Sequence, residues 1–126
     1  MNYEKLKLQE CSNIIQNKNR GVLSLCGYSA PYQELVFYDT DCFCGCLNIY
    51  FKTCDCGTLM KYLKANNSAS LLISRKCNNY IETVIIEGDL EVLGDEVDCC
   101  CKKKEECFKT VQLTINNICG KKYYMC

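Results

Sequence analysis

The spacing of hydrophobic residues changes period several times along the chain. Over residues 3–16 the apolar positions Leu8, Cys11, Ile14 and Ile15 are three and four apart, which puts them on one face of a helix. Gly21-Val22-Leu23-Ser24-Leu25 then reads as a strand and Gly27-Tyr28-Ser29-Ala30 as a turn. Residues 31–38, rich in β-branched and aromatic side chains, read as a second strand. Asp39-Thr40-Asp41 punctuates the pattern, and residues 47–51 alternate into a third strand. These three strands make a β-meander.

After Cys56-Gly57 helical spacing returns, with Leu59, Tyr62 and Leu63 on one face, Lys61 and Lys64 on another, and an end at Asn66-Asn67. Residues 69–74 form a fourth strand and residues 80–93 a long fifth one, in which Gly88 marks a bulge or sharp bend. Residues 95–110 read as a third helix. Its acidic opening suits a helix N-terminus, and its apolar stripe is Val97, Cys100, Cys101, Cys107, Phe108 and Val111. Val111, Leu113, Ile115 and Ile118 then alternate toward Gly120 as a sixth strand. Without a linker or repeat, this order predicts one mainly β domain over residues 1–126. Its expected architecture is a six-stranded antiparallel sheet curled into a small barrel, with about three flanking helices.

Composition narrows the chemistry. The chain has 126 residues, the size of one domain. Fifteen Lys and Arg balance fifteen Asp and Glu, which argues against the basic footprint of a nucleic-acid binder or a polybasic membrane-surface protein. Histidine is absent. That removes a Ser-His-Asp triad, a Cys-His nucleophile pair, a Cys2His2 zinc finger, a histidine haem ligand and a histidine general base. Any chemistry falls to cysteine, lysine, carboxylates, tyrosine or a cofactor.

The opening residues lack the basic and apolar regions of a secretory signal. Leu71-Leu72-Ile73 and Val84-Ile85-Ile86 are far short of the roughly 18–20 apolar residues that span a bilayer. The expectation is a soluble cytoplasmic protein without a membrane partner. In that compartment the 14 cysteines are read as thiols rather than disulfides.

Cys42-Phe43-Cys44-Gly45-Cys46 and Cys54-Asp55-Cys56 have spacings that suit soft metals. An intervening strand rising about 3.3 Å per residue separates the two groups by roughly 20 Å, too far for one tetrahedral site. No dedicated metal site is expected. Cys100 and Cys101 fit the helix stripe as small apolar residues. Cys54 and Cys56, near a helix start, are the candidates for a reactive thiolate.

Six segments carry a resemblance in order and spacing. They are Arg20-Gly21-Val22-Leu23-Ser24-Leu25; Pro31-Tyr32; Ile49-Tyr50-Phe51 before a Gly57-containing loop; Lys61-Tyr62-Leu63-Lys64-Ala65-Asn66; residues 80–93 with Val84-Ile85-Ile86-Glu87-Gly88; and residues 111–121. Together they resemble the pyridoxamine 5′-phosphate oxidase-related family of FMN-binding split barrels, especially its small flavoprotein and nitroimidazole-resistance branch.

The resemblance implies a homodimer with FMN in a groove at the protomer interface, and a flavin-dependent oxidation or reduction of a small molecule with a nicotinamide or flavin electron donor. By position it places Tyr32, Glu34, Leu35, Val36 and Phe37 beside the flavin ring. Tyr50, Phe51, Lys52, Thr53, Thr58 and Leu59 fall toward the ribityl phosphate, where a helix N-terminus suits an anion. Lys52 stands where small relatives carry histidine, and Thr58-Leu59 where they carry basic residues. No catalytic residue is assigned. Two other readings are a non-catalytic split-barrel dimer, stress-related or ligand-binding, and a thiol-based metal or redox sensor.

Overall fold

A computed structural model describes residues 2–26, 31–43, 45–54, 57–95 and 108–125. Among these are seven strands and two helices: β1 (Tyr3–Lys5), α1 (Leu8–Asn17), β2 (Arg20–Cys26), β3 (Pro31–Phe43), β4 (Cys46–Cys54), α2 (Thr58–Ala65), β5 (Ser68–Lys76), β6 (Tyr80–Asp95) and β7 (Phe108–Tyr124).

Every pairing is antiparallel. The strand order is β1-β7-β4-β3-β2-β5-β6, and β6 pairs with β7 as well. The hydrogen-bonded path from β7 through β4, β3, β2, β5 and β6 therefore returns to β7. Alternate side chains point into the space this path encloses: Leu23 and Leu25, Val36 and Tyr38, Ile49 and Phe51, Leu71 and Ile73, Val84 and Ile86, Val111 and Leu113 are all buried. Cys11, Ile14 and Ile15 of α1 and Leu59, Met60 and Leu63 of α2 join the same core.

Gly88 sits at a register shift in the β6–β7 ladder. A Cβ there would lie 2.0 Å from the Thr114 carbonyl oxygen, so the two backbones approach this closely only at glycine.

Four expectations need correction. Helical spacing placed the first helix from residue 3, but residues 3–5 form β1 against Lys121, Lys122 and Tyr123. The helix starts only after Lys7, whose backbone N–H donates to the Glu10 carboxylate at 3.2 Å and so fixes the first turn. This strand makes seven rather than six. The third correction concerns residues 95–110: β6 runs through Asp95 and β7 begins at Phe108, so both ends of the expected third helix are strand. There Cys54, Thr53 and Lys52 pair with Phe108, Lys109 and Thr110, and long-range pairing overrides the local helical spacing. The rest of that expected helix, the Gly27–Ala30 turn and Cys44 and Cys56 lie outside the described residues. β3 also runs on through Asp39-Thr40-Asp41 instead of ending there, with Asp39 opposite Tyr50 and Asp41 opposite Asn48.

Candidate functional site

The site arises where two neighbouring strands part. Among the described residues the β3–β4 ladder runs from Phe43↔Cys46 to Tyr38↔Phe51 and stops. Beyond it, residues 31–37 of β3 pair with β2, while residues 52–54 of β4 pair with β7. The facing edges of β3 and β4 diverge, and each brings backbone donors and acceptors to the gap.

A cavity of about 360 Å³ lies at this parting, within the ~300–1,000 Å³ usual for small-molecule sites. Glu34, Leu35, Val36, Phe37 and Asp39 contribute from β3, Tyr50, Phe51 and Lys52 from β4, and Thr110 from β7. Val36 and Phe51 have buried side chains, whereas Leu35 and Phe37 are exposed at 54% and 63%. Lys52 is exposed and stands opposite Thr110 in the β4–β7 ladder. The Tyr50 phenol is held above its ordinary pKa by partial burial first, then by the charge of Asp41 and a hydrogen bond with it.

Next to the cleft, the Tyr32 hydroxyl donates to Glu34 Oε1. Its ring stacks on Tyr62 of α2, with centroids 4.9 Å apart and planes 20° apart. The hydrogen bond to Glu34, helped by burial, pushes the Tyr32 phenol up to about 12.

The cleft gathers Glu34, Leu35, Val36, Phe37, Tyr50, Phe51 and Lys52, seven of the eleven residues singled out from the sequence. Tyr32 adjoins it through Glu34. Thr53 is buried on the core side of β4, and Leu59 is buried in α2. Thr58 is the exposed first residue of α2, after Gly57, whose N–H donates to the Cys54 carbonyl at 3.1 Å. Asp39 and Thr110 were missed. Asp39 resembled a turn residue, and Thr110 lay in the stretch read as helix, although its alternation with Val111 and Leu113 was a strand signal.

Cys11, Cys42, Cys46, Cys77 and Cys119 are free thiols. Burial raises the Cys11 pKa most, with Cys119 adding to the effect. Among the described residues no three His, Cys, Asp or Glu side chains gather as metal ligands, and no helix is long and apolar enough to cross a membrane.

A mainly antiparallel sheet whose ladder returns on itself, opened at one seam to leave a ligand-sized cleft, defines the class of protein. No family model and no curated protein matches the sequence. Solved structures share the fold over nearly the whole chain. An FAD-binding protein from Mesorhizobium loti superposes with a TM-score of 0.79 at 15% identity, covering 97% of this chain and 99% of its own. A protein provisionally assigned as a pyridoxamine 5′-phosphate oxidase from Corynebacterium glutamicum gives 0.75 at 15% identity, covering 100% and 98%. One provisionally assigned to 5-nitroimidazole antibiotic resistance from Bacteroides thetaiotaomicron gives 0.77 at 12% identity, covering 98% and 90%. The chain has the fold of these proteins, and at such identities the likeness speaks for fold alone.

Proposed function

We propose that this chain is a flavoprotein of the pyridoxamine 5′-phosphate oxidase-related family, a split barrel that holds FMN in the β3–β4 cleft. The observation that carries the reading is the cleft itself. It lies at the parted seam of a fold shared with an FAD-binding protein, and it is lined by the segments 34–37 and 50–52.

The residues present fit such a cofactor. Among the described residues the edge of β3 that faces the cleft has no strand partner over residues 31–37, so it offers backbone groups to the hydrogen-bonding edge of a planar ring, and Leu35 and Phe37 offer apolar surface to its body. Lys52 supplies a cation, while the first N–H groups of α2 and the Thr58 hydroxyl provide a seat for a phosphate. Bound there, the flavin would supply two-electron reduction of a small molecule, with electrons from a nicotinamide or flavin donor. The protein positions it and sets the local charge through Glu34, Asp39 and Lys52.

The active unit in this reading is a cytoplasmic homodimer that engages neither nucleic acid nor membrane. An exposed row supports the dimer. Leu35 on β3, Val22 on β2, Leu72 on β5 and Ile85 on β6 are successive register partners across four strands, and Leu72 and Ile85 are 40% and 42% exposed. A contiguous apolar band of this kind suits a self-complementary interface. It ends at Leu35, in the cleft wall, so a partner seated on the band would border the cofactor.

One observation favours a second reading, a non-catalytic split-barrel dimer with weak flavin binding. The first turn of α2 presents Thr58 and a buried Leu59 with no cationic side chain before Lys61.

Protein purified without added flavin, then incubated with FMN and gel-filtered, tests the proposal. Absorbance bands at about 370 and 450 nm that stay with the protein are the expected result. A protein that remains colourless after FMN treatment overturns it.

A further inference from the structure

Tyr32 and Glu34 are two residues apart on β3, so their side chains leave the strand on the same face. The Tyr32 hydroxyl donates to Glu34 Oε1, while its ring lies against Tyr62. Tyr62 sits on α2, a helix fixed by the buried Leu59, Met60 and Leu63. A continuous line of contact therefore runs from the core through α2, Tyr62 and Tyr32 to the carboxylate of Glu34, a residue that lines the cleft.

The chemistry of that carboxylate restricts what it can meet. An ionised glutamate only accepts hydrogen bonds, at about four lone-pair positions on two oxygens. Tyr32 occupies one position on Oε1 and leaves Oε2 for another donor. A glutamate on a strand edge is otherwise free to rotate, and ordering it on binding would cost affinity. The tyrosine removes that freedom beforehand. Its phenol, with a pKa pushed up to about 12, stays protonated and donating across the physiological range.

We propose that Tyr32 is a positioning residue that holds the Glu34 carboxylate to accept a hydrogen bond from an N–H or O–H group of the ligand in the cleft, with Tyr62 fixing Tyr32 from α2. The proposal rests on the flavin reading and gives it a direction: Glu34 meets a neutral donor of the flavin, an imide N–H or a ribityl hydroxyl, and the anionic phosphate lies away from it. Tyr32 itself then touches no ligand.

A double-mutant cycle read by quenching of FMN fluorescence tests this. Tyr32→Phe keeps the ring stack and removes the hydroxyl, and it should weaken FMN binding by about 3–10-fold. Glu34→Gln should weaken it by at least as much, and the double variant should bind no more weakly than Glu34→Gln alone. Riboflavin, which lacks the phosphate, should lose the same factor in each variant.

A spectrophotometric phenol titration adds a readout that needs no ligand. In Glu34→Gln one tyrosine should return from about 12 toward its ordinary value. Equal FMN affinity for Tyr32→Phe and wild type, independent losses that multiply in the double variant, or an unchanged phenol titration each overturn the positioning role. Failure of the wild type to bind FMN overturns the flavin reading instead, and is recognised by its occurring in every variant alike.

Discussion

Arg75 and Glu82 are direct register partners on β5 and β6, and the guanidinium Nε donates to Glu82 Oε1 at 2.8 Å. Glu82 is only 5% exposed and shares the inward face of β6 with Val84 and Ile86. It stands opposite Lys122 on β7, which stands opposite Glu4 on β1. Charge therefore alternates in one row across four strands at the end of the core. Lys122 also lies 4.1 Å from the Tyr80 ring centroid and 5.5 Å from that of Tyr124, so the row is packed as well as paired.

Removing one member should cost more than removing both. Arg75→Ala leaves a buried carboxylate without its main partner and should destabilise the fold by about 3 kcal/mol, the lower end for a buried pair because Arg75 is partly exposed. The joint replacement Arg75→Met with Glu82→Leu should recover most of that loss. Midpoints of urea unfolding for the two variants check the order.

Tyr38 ties β3 to α1. Its buried hydroxyl donates to the Ile15 carbonyl at 2.7 Å, and burial pushes its phenol up to about 12. Tyr38→Phe should cost roughly 1–2 kcal/mol near neutral pH. Because the folded-state pKa lies above the unfolded value near 10, the stabilisation is fully present below about pH 10 and is lost as pH rises toward about 12. The stability gap between wild type and Tyr38→Phe should narrow over that window, as read by unfolding at stepped pH.

Gly88→Ala drives a methyl group into the Thr114 carbonyl of the neighbouring strand, where neither backbone can retreat without breaking the β6–β7 ladder. A loss of at least ~3 kcal/mol is expected, at the severe end of overpacking. Gly45→Ala, at a hairpin residue with φ of 79° and open space around it, should cost only about 1 kcal/mol. Thermal melts of the two variants give the comparison.

The apolar row makes a prediction about assembly. Leu72→Lys with Ile85→Lys places two charges on an exposed face, which a monomer tolerates within about 0.5 kcal/mol. If that face joins two copies, sedimentation velocity should show a dimer for the wild type and a monomer for the variant, with unchanged circular dichroism. A wild type that sediments as a monomer at micromolar concentration overturns the interface.

The sequence by itself determined what depends on neighbours along the chain. Alternation marked β2, β5 and most of β6, helical spacing marked α2 and the apolar face of α1, and the glycine in the long strand marked its bulge. Residues 34–37 and 50–52 were singled out only by position, as what the family resemblance implies, because no local period marks a binding residue.

Tertiary structure decided everything that depends on which distant strand lies alongside. Residues 3–5 become β1 only because β7 offers them an edge at residues 121–123, and Phe108 to Thr110 become strand only because they pair with residues 52–54. The cleft exists because β3 keeps β2 while β4 keeps β7, a choice made by long-range hydrogen bonding that no local period encodes. For the same reason Thr110 reached the site unseen, and the contacts of Tyr32 with Tyr62 and of Arg75 with Glu82 became visible only once the strands and helices were in place.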